Sequence, residues 1–123
     1  MISFESFVPA QGSPIYMQIV LHIKRGAAAG TIIDSDELPS RRMLSALLGV
    51  NPNTVQKAYR ILEEEELISS HSGAKSVMVL DEEKKEKIRT ELLENDIKNV
   101  IQSMQQMDIS KEEALRLIDI YWR

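Results

Sequence analysis

The sequence predicts a mainly helical α+β fold. An N-terminal winged helix-turn-helix carries a short β-hairpin wing, and a two-helix C-terminal tail follows. Three observations predict it. In LLGVNPNTVQKAYRIL, from Leu47 to Leu62, one apolar helical pattern stops at Gly49 and another starts at Asn51-Pro52. Glycine suits the left-handed residue past a helix end, asparagine is a good N-cap, and proline belongs at the first helical position. Two helices joined by so short a turn make a helix-turn-helix. Two short strand patterns then follow the second helix directly, as a wing requires. After Asp81, apolar residues recur at heptad spacing.

The elements follow in chain order. Residues 1–13, with Phe4, Phe7, Val8, Pro9 and Gly12, read as an extended arm that packs on the body. Pro14 starts a largely buried helix through Ile15, Met17, Ile19, Val20, Leu21 and Ile23, ending near Gly30, with His22 on its surface. Gly26 weakens its last turns by roughly 1 kcal/mol relative to alanine. Thr31 to Pro39 form a polar connection. Ser40 caps the next helix, which runs to about Leu48 and carries Met43, Leu44, Leu47 and Leu48. Pro52 opens the reading helix, which runs to about Glu66. Val55, Ala58, Tyr59 and Leu62 form its core-facing stripe. Residues 67–71 and 75–80 are expected as strands, with Ser72-Gly73-Ala74 as the turn that includes the wing tip.

Beyond residue 80 the character changes. DEEKKEK is a charge-dense helix start. Leu93, Ile97, Val100, Met104 and Met107 then make an a/d seam about two heptads long. Asp108 and Ser110 mark a break, and Ser110 with Glu113 reads as a capping box. The last helix presents Leu115, Ile118, Tyr121 and Trp122 on a wide apolar face. The seam is either a monomer core or a dimer interface. A two-helix tail has little other body to cover it, which favours the dimer. Residues 1–80 are therefore expected to form the winged helix-turn-helix with its arm, and residues 81–123 a helical dimerisation region.

Composition narrows the functions. The chain of 123 residues is 43% hydrophobic and 28% charged, as in a soluble globular protein. It has no cysteine, which fits a reducing cytoplasm, and no apolar run long enough to span a membrane. Two histidines are too few and too far apart for a metal centre, and no cofactor is expected. No nucleophile–base pairing and no phosphate-cradling glycine loop suggests an enzyme. The net charge of −4 argues against a polyanion until its distribution is seen. Residues 13–80 balance seven basic against seven acidic side chains, whereas residues 81–123 hold eight and eleven. Between Glu37 and Glu63 there is no acid, yet Arg41, Arg42, Lys57 and Arg60 all lie there. Such a window favours nucleic acid.

The reading helix opens with Asn53, Thr54, Gln56, Lys57 and Arg60, side chains that suit base edges and phosphates. Arg41 and Arg42 sit in the first turn of the preceding helix, where cations oppose the macrodipole. DNA contact accounts for both groups better than capping or solvation does. The acidic run Glu63 to Glu66 reads as the solvated far end of the reading helix, kept away from phosphate.

At PIYMQIVLHIKRGAAAG and ELPSRRMLSALLGVNPNTVQKAYRILEEEELI the sequence resembles the GntR superfamily of bacterial transcription regulators. The likeness covers residues 14–80 and fades in the wing. The short tail is similar to that of the YtrA subfamily, whose members dimerise through two C-terminal helices and several of which repress transporter operons. The resemblance implies DNA contacts from Arg42, from Asn53, Thr54, Gln56 and Lys57, and from the wing glycine, Gly73. Departures are Asp34-Ser35 in place of Pro-Gly, Glu37 in place of a basic residue, and Lys75 in place of the second wing glycine. Lys75 there is expected to supply a phosphate contact instead. Met43 and Leu47 stand where the family carries polar residues.

The expected function is thus a homodimeric, sequence-specific repressor on double-stranded DNA with two-fold related half-sites, with no effector assigned. The alternative is a protein-interaction module in which the winged helix is only scaffold. Met43 and Leu47, one helical turn apart, are expected to be covered either by the arm around Phe4 and Phe7 or by Tyr121 and Trp122 of the tail.

Overall fold

Among residues 1–70 and 75–123, which the computed structural model describes, the elements run α1 (Ile15–Ala29), β1 (Glu37–Leu38), α2 (Arg41–Leu48), α3 (Pro52–Glu64), β2 (Ile68–Ser70), β3 (Ser76–Met78), α4 (Glu82–Gln106) and α5 (Lys111–Tyr121). This is the predicted mainly helical α+β winged helix-turn-helix. The chain divides into two units, Met1–Arg89 and Thr90–Arg123, and α4 begins in the first and continues in the second.

In the first unit, α1 turns Ile19, Val20, Ile23 and Ala27 inward. They pack against α3, which contributes Val55, Ala58, Tyr59 and Leu62. These side chains recur at three- and four-residue steps, so each helix buries one stripe and nothing more. α1 stops at Gly30, whose φ of 82° is left-handed, and the Thr31 N–H donates to the Gly26 carbonyl at 3.0 Å. That six-to-one bond is the Schellman arrangement. Gly26 has its own reason. A Cβ there would meet Ile32 Cγ1 at 2.7 Å. Its weak helix propensity is the condition for Ile32 to close over the end of α1.

The expected polar connection at residues 31–39 contains a strand. β1 pairs antiparallel with β3 (Glu37↔Val77, Leu38↔Ser76), and β2 pairs with the other edge of β3 (Ile68↔Met78, Ser70↔Ser76). The order is β1-β3-β2. A two-residue strand is too short to show alternation, which is why the sequence does not reveal it. The turn before it is built by Asp34, Ser35 and Asp36. Asp36 Oδ2 accepts from the Ile33 N–H at 2.9 Å, and Asp34 Oδ1 accepts from the Leu80 N–H at 2.8 Å. Ser35 holds φ at 70°, a conformation costly for any residue with a Cβ. β2 and β3 fall inside the two predicted wing strands. Residues 71–74, including the predicted turn and Gly73, lie outside the described residues.

The N-terminal arm packs on the body, as expected. The Ile2 N–H donates to the Glu37 carbonyl at 2.8 Å, extending the β1 side of the sheet by one bond. Phe4 is buried with its ring centroid 4.5 Å from that of His22, and Phe7 meets the same imidazole edge-on at 5.5 Å. His22 Nε2 donates to the Ser3 carbonyl at 2.9 Å. So His22 is not a plain surface residue but the post to which the arm is tied. This also corrects one of the two expectations for Met43 and Leu47, cover by the arm. The arm is spent on α1 and leaves those two side chains 50% and 65% exposed. α2 buries only Leu44 and Ser45, because its contact with α3 is one stripe wide.

The first turns of α4 belong to this unit. Ile88 is buried, and Lys84 Nζ donates to the Glu66 carbonyl at 2.6 Å. Glu66 itself is left-handed at φ 60°, with the Leu67 N–H donating to the Leu62 carbonyl at 2.9 Å. α3 therefore ends in the same Schellman turn as α1, with glutamate where glycine is favoured.

In the second unit, the break expected at Asp108 and Ser110 is present. Asp108 is left-handed at φ 56°, and Ser110 Oγ accepts from the Glu113 N–H at 3.2 Å. Every residue of Thr90–Arg123 is described, and none is buried. Leu93, Ile97, Val100, Met107, Leu115, Ile118 and Tyr121 are exposed, Met104 is half-buried, and Trp122 is 79% exposed. α4 and α5 enclose an open apolar groove of about 390 Å³, whose walls include Ile97, Val100, Met104, Leu115 and Ile118.

Candidate nucleic-acid interface

The turn between α2 and α3 follows its sequence closely. Gly49 adopts φ 67°, and the Val50 N–H donates to the Ser45 carbonyl at 3.0 Å. Asn51 Oδ1 accepts from the Asn53 N–H at 2.8 Å, and Pro52 is the first helical residue. Ser40 Oγ caps α2 through the Met43 N–H at 3.0 Å. Neither helix has an acid in its first turn. Their positive dipole ends are left uncompensated, as suits a phosphate backbone.

The buried stripe of α3 sets what its other side can do. Asn53, Lys57 and Arg60 are exposed on the opposite face, and Thr54 and Gln56 lie half-buried on its flanks. Arg42 is exposed at the start of α2, and Lys75 is exposed just before β3. Lys57 carries its ammonium 4.1 Å from the centroid of the Tyr16 ring on α1. The aromatic face holds this cation by its quadrupole and limits the rotamers the long chain would otherwise sample.

Arg41 behaves differently from its neighbour. Its guanidinium turns inward over the Tyr59 ring, 5.0 Å from the centroid. Nε donates to Gln56 Oε1, one terminal nitrogen donates to Glu63 Oε1 at 2.7 Å, and the other reaches Ser76 Oγ at 3.4 Å. Ser70 Oγ donates to the same Glu63 oxygen at 2.6 Å and lies 2.9 Å from Ser76 Oγ. One polar network thus ties α2, α3 and both wing strands together. Tyr59 closes it from below, donating its hydroxyl to the Pro39 carbonyl at 2.6 Å. Burial pushes the Tyr59 phenol well above its ordinary range, and the Arg41 charge opposes this only in part. The hydroxyl therefore stays protonated and remains a donor.

The acidic end of α3 is not simply solvated. Glu63 holds Arg41, and Glu65 pairs with Lys24 of α1 at 2.7 Å. Reading the run Glu63 to Glu66 as one patch hid this. On a helix, Gln56 and Glu63 are two turns apart on one flank, and that spacing was the available signal for a shared cation. Of the residues singled out from sequence, Arg42, Asn53, Lys57, Arg60 and Lys75 are exposed, with Lys57 resting on the Tyr16 ring. Arg41 and Gln56 engage each other, and Gly73 is outside the described residues.

The sequence pattern of the family described as "Bacterial regulatory proteins, gntR family" matches residues 15–77. The transcriptional repressor YtrA of Bacillus subtilis is 32% identical over 106 residues, covering 86% of this chain and 77% of that one. Among solved structures, a GntR family transcriptional regulator from Listeria monocytogenes superposes with a TM-score of 0.79 at 32% identity, covering 90% of this chain and 97% of that one. YtrA from Sulfolobus acidocaldarius, described as a GntR-family transcription factor, gives a TM-score of 0.54 at 29% identity, covering 92% and 90%.

Proposed function

Since this chain belongs to the gntR family of bacterial regulatory proteins and is a DNA-binding transcription regulator, we propose that it acts in the cytoplasm as a homodimeric repressor of a transporter-type operon. The observation that carries the reading is the α3 surface, whose Asn53, Lys57 and Arg60 stand on a backing of fully buried side chains. Asn53 and Thr54 contact base edges in the major groove. Arg42, Lys57, Arg60 and Lys75 hold phosphates on either side, and the resemblance adds a contact from Gly73. Likeness to a protein named as a repressor supports repression, and likeness to the YtrA subfamily supports the transporter setting.

The homodimer rests on the tail. Residues 81–123 include a unit with no buried residue and an apolar groove. A second copy laid along Leu93, Ile97, Val100, Met104 and Met107, with Leu115, Ile118, Tyr121 and Trp122, supplies the missing core. A two-fold dimer then demands two-fold related half-sites.

Selection of bound fragments from the source genome, followed by titration of the recovered operator, tests this. Operator affinity is expected to fall steeply between low and physiological salt, as counterions are released. Arg42→Ala and Lys57→Ala are expected to weaken binding without unfolding the protein. Equal binding of operator and random duplex at moderate salt would refute specific regulation.

A further inference from the structure

Gln56 stands on the flank of the reading helix with its amide oxygen already engaged. Arg41 Nε is a donor and never an acceptor, so the Gln56 atom that faces it is the oxygen. Arg41 is itself fixed, by Glu63 at 2.7 Å, by Ser76 at 3.4 Å and by the Tyr59 ring. The side-chain amide is therefore oriented before any DNA arrives. What remains for a ligand is the NH2 end, with two N–H donors and a neighbouring cation that polarises them.

An unrestrained glutamine reads adenine with both ends, accepting from N6–H and donating to N7. With its oxygen aimed at Arg41, that pairing would require the second lone pair of the same oxygen to reach N6–H while the NH2 reaches N7, which the fixed orientation of the amide opposes. Guanine presents two acceptors in the major groove, N7 and O6, whereas adenine presents N7 beside a donor. Two donors on the protein match the first edge and meet a donor on the second. We propose that Gln56 reads its base as a hydrogen-bond donor only and so selects guanine against adenine. Arg41 is the positioning residue that imposes this and is not itself a DNA contact. The inference rests on the DNA-binding reading above and adds a rule for one operator position per half-site.

The test is selection from a randomised duplex library with the full-length protein and four variants: Gln56→Ala, Gln56→Glu, Arg41→Met and Glu63→Gln. The position at which Gln56→Ala loses its preference is the position Gln56 reads. There the wild type is expected to prefer guanine over adenine by roughly tenfold. Gln56→Glu, which has no donor, is expected to lose that preference. Arg41→Met frees the amide oxygen and Glu63→Gln loosens the grip on Arg41. Either is expected to shift this one position toward adenine and leave the others unchanged. Wild-type preference for adenine at that position would overturn the proposal. So would a Gln56→Ala selection identical to wild type, or guanine retained in both Arg41→Met and Glu63→Gln. If neither of those two variants folds, the wild-type preference decides alone. Failure to select any sequence would strike the specific-DNA reading itself, whereas a clear operator with adenine at this position would strike only the donor rule.

Discussion

The two units of this chain are both helical and both rich in apolar residues, yet they use them in opposite ways. Met1–Arg89 buries Ile19, Ile23, Leu44, Val55, Tyr59 and Leu62 completely. Thr90–Arg123 buries nothing, although Leu93, Ile97, Val100, Met104 and Met107 are placed at heptad spacing. Patterning alone does not distinguish a domain that closes on itself from a surface awaiting a partner. What separates them is the third layer. In the head, an arm and a sheet edge are available to cover α1 and α3, whereas two helices in the tail have one contact face between them and all their remaining apolar surface outside it.

Charge substitutions break that contrast most sharply. Leu62→Asp or Val55→Asp is expected to abolish the cooperative melting transition of the head, since a buried unpaired charge has no partner there. Leu62→Ala is expected to cost about 2–5 kcal/mol. Leu93→Asp or Ile118→Asp is expected to leave the thermal transition of the head within about 0.5 kcal/mol of wild type. It is expected to convert the sedimenting species to monomer. A tail substitution that melts the head would show the units to be one cooperative body.

Truncation sharpens the boundary. A chain ending at Arg89 keeps Ile88 in the core and the Lys84 bond to Glu66, and is expected to melt as the intact head does. A chain ending at Leu80 loses both and is expected to be less stable by about 1.5–3 kcal/mol, the value of burying one large aliphatic side chain. Both are expected to bind operator at least about a hundredfold more weakly than full length, because two linked contacts outperform one.

Tyr59→Phe probes the floor of the reading surface. Loss of the bond to Pro39 is expected to cost about 1–2 kcal/mol by denaturant titration. The wild-type phenol ionises less readily folded than unfolded. Its contribution is therefore complete below the ordinary tyrosine pKa of about 10 and declines as pH rises beyond it. Tyr59→Phe is expected to lack that alkaline decline. The smallest effects come from the left-handed residues. Ser35→Gly and Glu66→Gly are each expected to stabilise the head by about 0.5–1 kcal/mol, since glycine adopts these angles without a Cβ clash. Asp108→Gly is expected to do the same for the tail alone.

The helices, their caps and the buried stripe of α3 were legible because each rests on local rules. Gly49, Asn51, Pro52 and Ser40 act within a turn of where they stand. β1 was not legible, because its two residues are a strand only by virtue of β3, far along the chain. The same holds for His22, whose role depends on an arm nineteen residues earlier. On the candidate interface, residue types were legible and orientations were not. Arg41 and Arg42 are adjacent residues of one type, and residue type alone does not tell them apart, yet one helical step of about 100° carries the first toward Glu63 and leaves the second in solvent. Met43 and Leu47 show the opposite case, apolar by type and exposed in fact.

The exposed tryptophan of the tail has a spectroscopic consequence. Trp122 is the chain's only tryptophan, and it stands in solvent at the end of α5. The molecule thus carries an intrinsic fluorophore confined to the region for which self-association is proposed. Its emission maximum is expected to move to shorter wavelength as protein concentration rises through the dimer dissociation constant, with no dye attached and no residue changed. A maximum that stays put while sedimentation reports a dimer would place the indole outside the interface and confine the contact to the α4 seam.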